Sequence, residues 1–160
     1  ASLVGFIAGC LAGLVTGILD TKLRIPSLLA GILTMTGLYS VNMHIMGKSN
    51  VPLLNEKVLT EYLPASWNLD IQTIILGLLV SGIVVTLLYL MFKTRLGLSL
   101  MATGNNKDMS AANGINTDGM IIFGYMISNG FIALSGALIA QSNGYADIGM
   151  GIGTIVIRLA

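Results

Sequence analysis

The sequence predicts an all-α polytopic membrane protein: a fragment with about four transmembrane helices, one of them open to being broken or re-entrant, plus a cytoplasmic helical loop. Two observations carry this. Of the 160 residues 54% are hydrophobic and 9% charged, with mean hydropathy +0.86, whereas soluble domains carry about a quarter charged residues. The charges gather between uncharged runs at Leu3–Leu19, Pro26–Gly47, Ile71–Phe92 and Gly119–Ala146, each near or above the ~17–25 residues that a spanning helix needs. The lipid membrane is therefore the first partner. A net charge of +1 from scattered basic residues excludes a nucleic-acid surface.

In the first run Gly5, Gly9, Gly13 and Gly17 recur every four residues beside Ala8 and Ala12, a small-residue ridge that lets a neighbouring helix approach closely. No basic stretch precedes the run, and Asp20, Lys22 and Arg24 follow it instead of a small-residue cleavage site; it reads as a membrane helix and not as a signal peptide. Cys10, the single cysteine, allows no intrachain disulfide and is assigned to packing.

The second run begins at Pro26, well placed for a first helical turn. Thr34, Thr36, Gly37, Ser40, Asn42 and His44 make it more polar than its neighbours, so a bend, a break or re-entry near Gly37 is open. Thr36, Tyr39 and Asn42 are its pathway candidates; the competing reading has Tyr39 packing and His44 hydrogen-bonded or at the interface. The following segment, Lys48–Asp70, holds Glu56, Glu61, Pro52, Pro64 and Trp67. Its Val58-Leu59 and Tyr62-Leu63 pairs predict a short surface helix, with Tyr62 and Trp67 suited to an interfacial position. The third run carries only Ser81 and Thr86 as notable polar residues. In the fourth, Ser128 and Asn129 are further pathway candidates, Asn129 either bonding across a helix interface or facing a wet cavity. Ala133, Gly136, Ala137 and Ala140 repeat the small-residue pattern more loosely.

Between the third and fourth runs lies Lys93–Asp118, KTRLGLSLMATGNNKDMSAANGINTD. Leu96, Leu98, Leu100, Met101, Met109, Ala111, Ala112 and Ile115 are interleaved with glycines, asparagines and charges as in two short helices. Gly104 is placed to end the first, Asn106 or Asp108 to cap the second, and Gly114 to end it. Such a patterned loop is built to dock.

Four spans make alternate loops share a side. Asp20–Ile25 and Lys93–Asp118 hold Lys22, Arg24, Lys93, Arg95 and Lys107, whereas Lys48–Asp70 and Gln141–Asp147 hold only Lys48 and Lys57, which puts the first pair in the cytoplasm. The chain starts at Ala1 without an initiator Met and stops at Ala160 after a short apolar run from Ile148; it reads as one transmembrane domain over 1–160, incomplete at both ends. Arg158 sits in that last run, where a helix centre would disfavour it by ~2.5–3.5 kcal/mol, so it either faces a cavity or lies near an end.

No catalytic or metal assignment emerges. One His and one Cys cannot form the usual Cys/His site, and no GxSxG, HExxH or phosphate-loop pattern occurs. All seven acidic residues fall outside the four runs, whereas proton-coupled carriers commonly use an intramembrane carboxylate. Coupling energy is expected to come from elsewhere, although a sodium site built of carbonyls and hydroxyls would escape this argument; an ion-coupled secondary carrier or channel is the alternative.

Thr94-Arg95-Leu96-Gly97, Ala102-Thr103-Gly104-Asn105-Asn106 and Ala111-Ala112-Asn113-Gly114-Ile115 resemble the cytoplasmic coupling loop of bacterial ABC-importer permeases of the branched-chain amino acid and ribose type. Gly17 to Gly31, GILDTKLRIPSLLAG, also resembles that family, and more narrowly its tryptophan/tyrosine transport permease branch. The resemblance implies a multi-pass permease of the bacterial inner membrane for a small polar solute such as an amino acid. By the same resemblance it pairs with a second permease copy, receives substrate from an extracellular substrate-binding protein, and is driven by cytoplasmic ATP-binding subunits; ATP binds the partner, so no cofactor is held directly. Gly104, Asn105, Asn106, Ala111, Ala112, Gly114 and Ile115 then belong to the ATPase-coupling surface.

Overall fold

A computed structural model describes residues 2–52 and 69–149. The predicted surface helix around Val58 and Tyr62, the position of Trp67 and the surroundings of Arg158 lie outside the described residues. Six helices and one small ribbon are described: α1 (Ser2–Thr21), α2 (Ser27–Met46), β1 (Asn50–Pro52), α3 (Leu69–Phe92), α4 (Arg95–Asn105), α5 (Lys107–Ala112), α6 (Thr117–Asn143) and β2 (Tyr145–Asp147). Four are long and apolar enough to cross a membrane: Ser2–Thr21, Ser27–Met46, Ile74–Phe92 and Thr117–Asn143. The chain divides into two compact units, Ala1–Lys57 with Tyr125–Ala160, and Val58–Gly124.

In the first unit the glycine ridge of α1 meets α6. A Cβ at Gly9 would stand 2.5 Å from both the Ala133 Cβ and the Asn129 carbonyl oxygen, and one at Gly13 would overlap the Tyr125 carbonyl. Gly5 faces Ala137, so the two helices run antiparallel in backbone contact, with bulk excluded at each crossing. Of the small residues expected on α6, Ala133 and Ala137 face the ridge, whereas Gly136 opens on free space. Gly130, unmarked by the spacing argument, receives the Cys10 thiol and the Phe6 ring; Phe6 also meets Phe131 edge-on at 5.5 Å. Cys10 thus packs.

α2 runs without interruption through Gly37, which corrects the option of a broken or re-entrant second span. The reason is local. Thr36 Oγ1 donates within the helix to the Ile32 and Leu33 carbonyls (3.0 Å each), and Ser40 Oγ to the Thr36 carbonyl (3.3 Å), so its hydroxyls satisfy themselves without opening the backbone. Pro26 precedes the first turn and not within it, its carbonyl accepting from the Ala30 N–H at 2.9 Å. Against α1 the helix buries Ala30 completely, and the Thr16 hydroxyl donates to Thr34 Oγ1 (2.9 Å), which itself donates to the Ala30 carbonyl (2.9 Å). Thr16 Oγ1 also lies 3.0 Å from the Ala12 carbonyl, so this pair leaves no hydroxyl unpaired.

After Gly47, left-handed at φ +63°, β1 pairs antiparallel with β2 in the register Asn50↔Asp147, Val51↔Ala146, Pro52↔Tyr145. The fourth apolar run therefore ends as helix at Asn143 and turns at Gly144 (φ +74°) into a strand, shorter than the run to Ala146 predicted. This ribbon brings together two segments predicted to share the outer side.

In the second unit α3 is apolar around its circumference, with Leu78, Leu79, Ile83, Val85 and Leu87 exposed, as suits a helix surrounded by lipid. It ends in an elbow where α4 turns back against it. Gly97 makes that elbow: a Cβ there would overlap the Met91 carbonyl and stand 2.5 Å from the Phe92 Cα.

Candidate functional site

The predicted docking loop folds as two short helices, each with a nameable start and stop. Thr94, extended at φ −82° and ψ 163°, caps α4 by accepting from the Gly97 N–H (3.3 Å). Its place directly before an apolar-periodic run is an N-cap signal that the sequence reading passed over. Gly104 does not end α4, contrary to expectation; the helix continues to Asn105, and the break falls at Asn106 (φ −154°, ψ 105°). Asn106 performs both duties. Its N–H donates to the Ala102 carbonyl to close α4, while its Oδ1 accepts from Met109 N–H at 2.9 Å to open α5. Of the two caps proposed, Asn106 and not Asp108 is the one used. A side-chain acceptor can both halt one helix and start the next, which makes a left-handed glycine at 104 unnecessary.

Gly114 ends α5 as predicted, at φ +80°. The Ile115 N–H bonds to the Ser110 carbonyl (3.1 Å) and the Gly114 N–H to that of Ala111 (3.0 Å), the pair of bonds that defines a Schellman stop. Two residues on, Asn116 Oδ1 accepts from Gly119 N–H (3.1 Å) and starts α6. Lys107 at the head of α5 pairs with Asp118 at 3.0 Å; both are more than half exposed, so the bridge orients more than it stabilises.

The candidate residues of this loop sit together. Gly104, Asn105 and Asn106 occupy the α4–α5 junction, and Ala111, Ala112 and Gly114 the end of α5, all exposed, whereas Ile115 is half-buried. The structure adds a feature the sequence reading did not single out: Leu98, Met101 and Met109 are 59%, 52% and 65% exposed. Leu98, Met101 and Asn105 are spaced i, i+3, i+7 along one face of α4.

The membrane candidates are arranged differently. Thr36, Tyr39 and Asn42 are all exposed, and at 100° per residue Thr36 and Tyr39 point away from the Ala30–Thr34 side that meets α1, with Asn42 on its flank. On α6 Ser128 is exposed while Asn129 is half-buried, with its Nδ2 donating to the Tyr125 carbonyl one turn back (3.0 Å). Its backbone carbonyl, not its amide, lies against Gly9. Among the described residues no hydrogen bond joins the α2 candidates to the α6 candidates.

With four apolar spans and a capped helical loop between the third and fourth, the architecture is that of a multi-pass membrane protein. The whole chain, residues 1–160, matches the family described as branched-chain amino acid transport system, permease component, and the chain belongs to that family. It is 49% identical over 160 residues to a tyrosine transport system permease protein of Clostridioides difficile, an alignment covering all of this chain and 52% of the relative. It is 36% identical over 159 residues to the uncharacterized protein RP368 of Rickettsia prowazekii (99% of this chain, 55% of the relative). With the inner membrane ABC transporter permease protein YjfF of Escherichia coli the identity is 28% over 152 residues, 91% of this chain and 45% of the relative. The chain spans about half the length of these curated relatives. No solved structure matches it. It is a multi-pass protein of the bacterial inner membrane.

Proposed function

We propose that this chain is part of the membrane-spanning subunit of an ATP-driven importer of a small polar solute, with residues 93–118 as the surface on which a cytoplasmic ATP-binding subunit docks. The observation that carries this reading is the capped α4–α5 pair, which presents small residues and exposed Leu98, Met101 and Met109 on a polar loop between apolar helices. An apolar patch of this kind outside the spans marks a partner surface. Ala111 and Ala112 give α5 a slim exposed face, suited to a groove. The kinship with a tyrosine permease supports an amino acid as solute, received from an extracellular binding protein and passed through a route completed by a second copy. On the same reading Thr36, Tyr39, Asn42, Ser128 and the half-buried Asn129 line that route, since polar side chains on spanning helices gain from a wet or polar neighbour in place of lipid.

The test is assembly. Ala111→Asp or Ala112→Arg places a charge in a contact meant to be dry, and either should abolish co-purification of the full-length protein with its ATP-binding subunit, or reduce substrate-stimulated ATP hydrolysis at least tenfold, at unchanged membrane yield. Normal assembly and stimulation in both variants would remove this loop from the interface, and solute uptake without any ATPase would favour a secondary carrier.

A further inference from the structure

The first unit is tied at one end and along the middle of its helices. At one end the β1–β2 ribbon joins the chain after α2 to the chain after α6, with Ile148 N–H donating to the Ser49 carbonyl (3.2 Å), and Gln141 Nε2 donates to Ser2 Oγ (3.2 Å) between α6 and α1. In the middle stand the glycine ridge and the Thr16–Thr34 pair. The tethers to the ribbon are short. Gly47, Lys48 and Ser49 separate α2 from β1, and Gly144 alone separates α6 from β2; three residues reach at most about 10 Å. While the ribbon stays paired, the adjoining ends of α2 and α6 cannot part.

We infer that the ribbon is a permanent clasp, holding α1, α2 and α6 as one rigid body through the transport cycle, so that solute never passes between the clasped ends of α2 and α6. The cycle itself rests on the importer reading above; the clasp does not. The register supplies the probe. Ser49 and Ile148 form a hydrogen-bonded pair, so Asn50 and Asp147 face each other as a non-bonded pair, with Cα atoms about 4.5 Å apart and within the ~4.4–6.8 Å that a disulfide accepts. Asn50→Cys with Asp147→Cys, in full-length Cys10→Ser protein assembled with its ATP-binding subunits in membranes, should form a disulfide rapidly. Its rate should agree within twofold at rest, with ATP and after vanadate trapping, and ATP hydrolysis with the clasp locked should stay within twofold of the reduced form. A pair that fails to close, a rate slowed tenfold in any state, or hydrolysis lost on oxidation and regained with reductant would each overturn the inference. Absence of any ATPase coupling in the unmodified protein would count against the importer reading alone, because the resting cross-link still reports whether the clasp is closed.

Discussion

Gly97 and Asn106 are single residues on which whole turns of this chain depend. Gly97 lacks a Cβ where the backbone of Met91 and Phe92 passes, and backbone, unlike a side chain tip, cannot rotate aside. Gly97→Ala should destabilise the elbow by about 1–3 kcal/mol, as overpacking does, and so lower the melting temperature of the full-length protein in detergent. Gly104→Ala makes the control: a Cβ there meets open space, and alanine favours a helix over glycine by ~1 kcal/mol, so this variant should be neutral or slightly stabilised. Asn106→Ala removes the acceptor of the Met109 N–H at a cost of about 1 kcal/mol, whereas Asn106→Asp keeps a competent cap. Amide exchange in α5 should therefore speed up several-fold in the alanine variant and not in the aspartate one. The sequence announced Asn106 and Gly114 because caps and left-handed turns select residue types. It did not announce Gly97, whose reason is a neighbour brought in by folding.

At the scale of elements, a repeat of glycines states that a helix has a close partner without naming it. α1 meets that expectation, and its partner is α6, engaged through Ala133, Ala137 and backbone carbonyls. Gly9→Leu or Gly13→Leu should cost several degrees of melting temperature in detergent, while Gly77→Leu, with nothing within 4 Å, should cost little. Equal loss at all three would show that α1 is not closely packed in the full-length protein. The polar residues of α2 were legible as polar but not as harmless to the helix, because whether a threonine breaks a helix or bonds to its own carbonyls depends on rotamers that the sequence does not display. The Thr16–Thr34 bond was invisible for a related reason: threonine is common in membrane helices, and only the register between α1 and α2 decides which two hydroxyls meet. Thr16→Val or Thr34→Val should each lose ~0.6 kcal/mol, the average for hydrogen bonds between membrane helices, and no more than ~1.7, with the double variant losing less than the sum.

For the molecule as a whole, the spans and their number follow from composition, but β1 and β2 do not, since three-residue strands such as Asn50–Pro52 have no periodicity to read. Their pairing agrees with the parity of crossings that puts Lys48–Asp70 and Gln141–Asp147 on one side. The basic residues assign that side to the exterior, so in Cys10→Ser full-length protein a cysteine at Lys48 should label from outside with an impermeant reagent and one at Asn105 only after permeabilisation; labelling of both from one face would mean an even number of crossings between them. The glycine ridge also has a consequence in time. α1 is made first, yet the surface that covers it, from Tyr125 to Ala137, leaves the ribosome more than a hundred residues later, a delay on the order of ten seconds at ~5–20 residues per second. Through that interval α1 and α2 already form a hairpin, while the slim side of α1 lies bare in the bilayer. Nascent chains arrested before α6 should therefore associate with one another through that side, and a bulky residue at Gly9 or Gly13 should abolish their association.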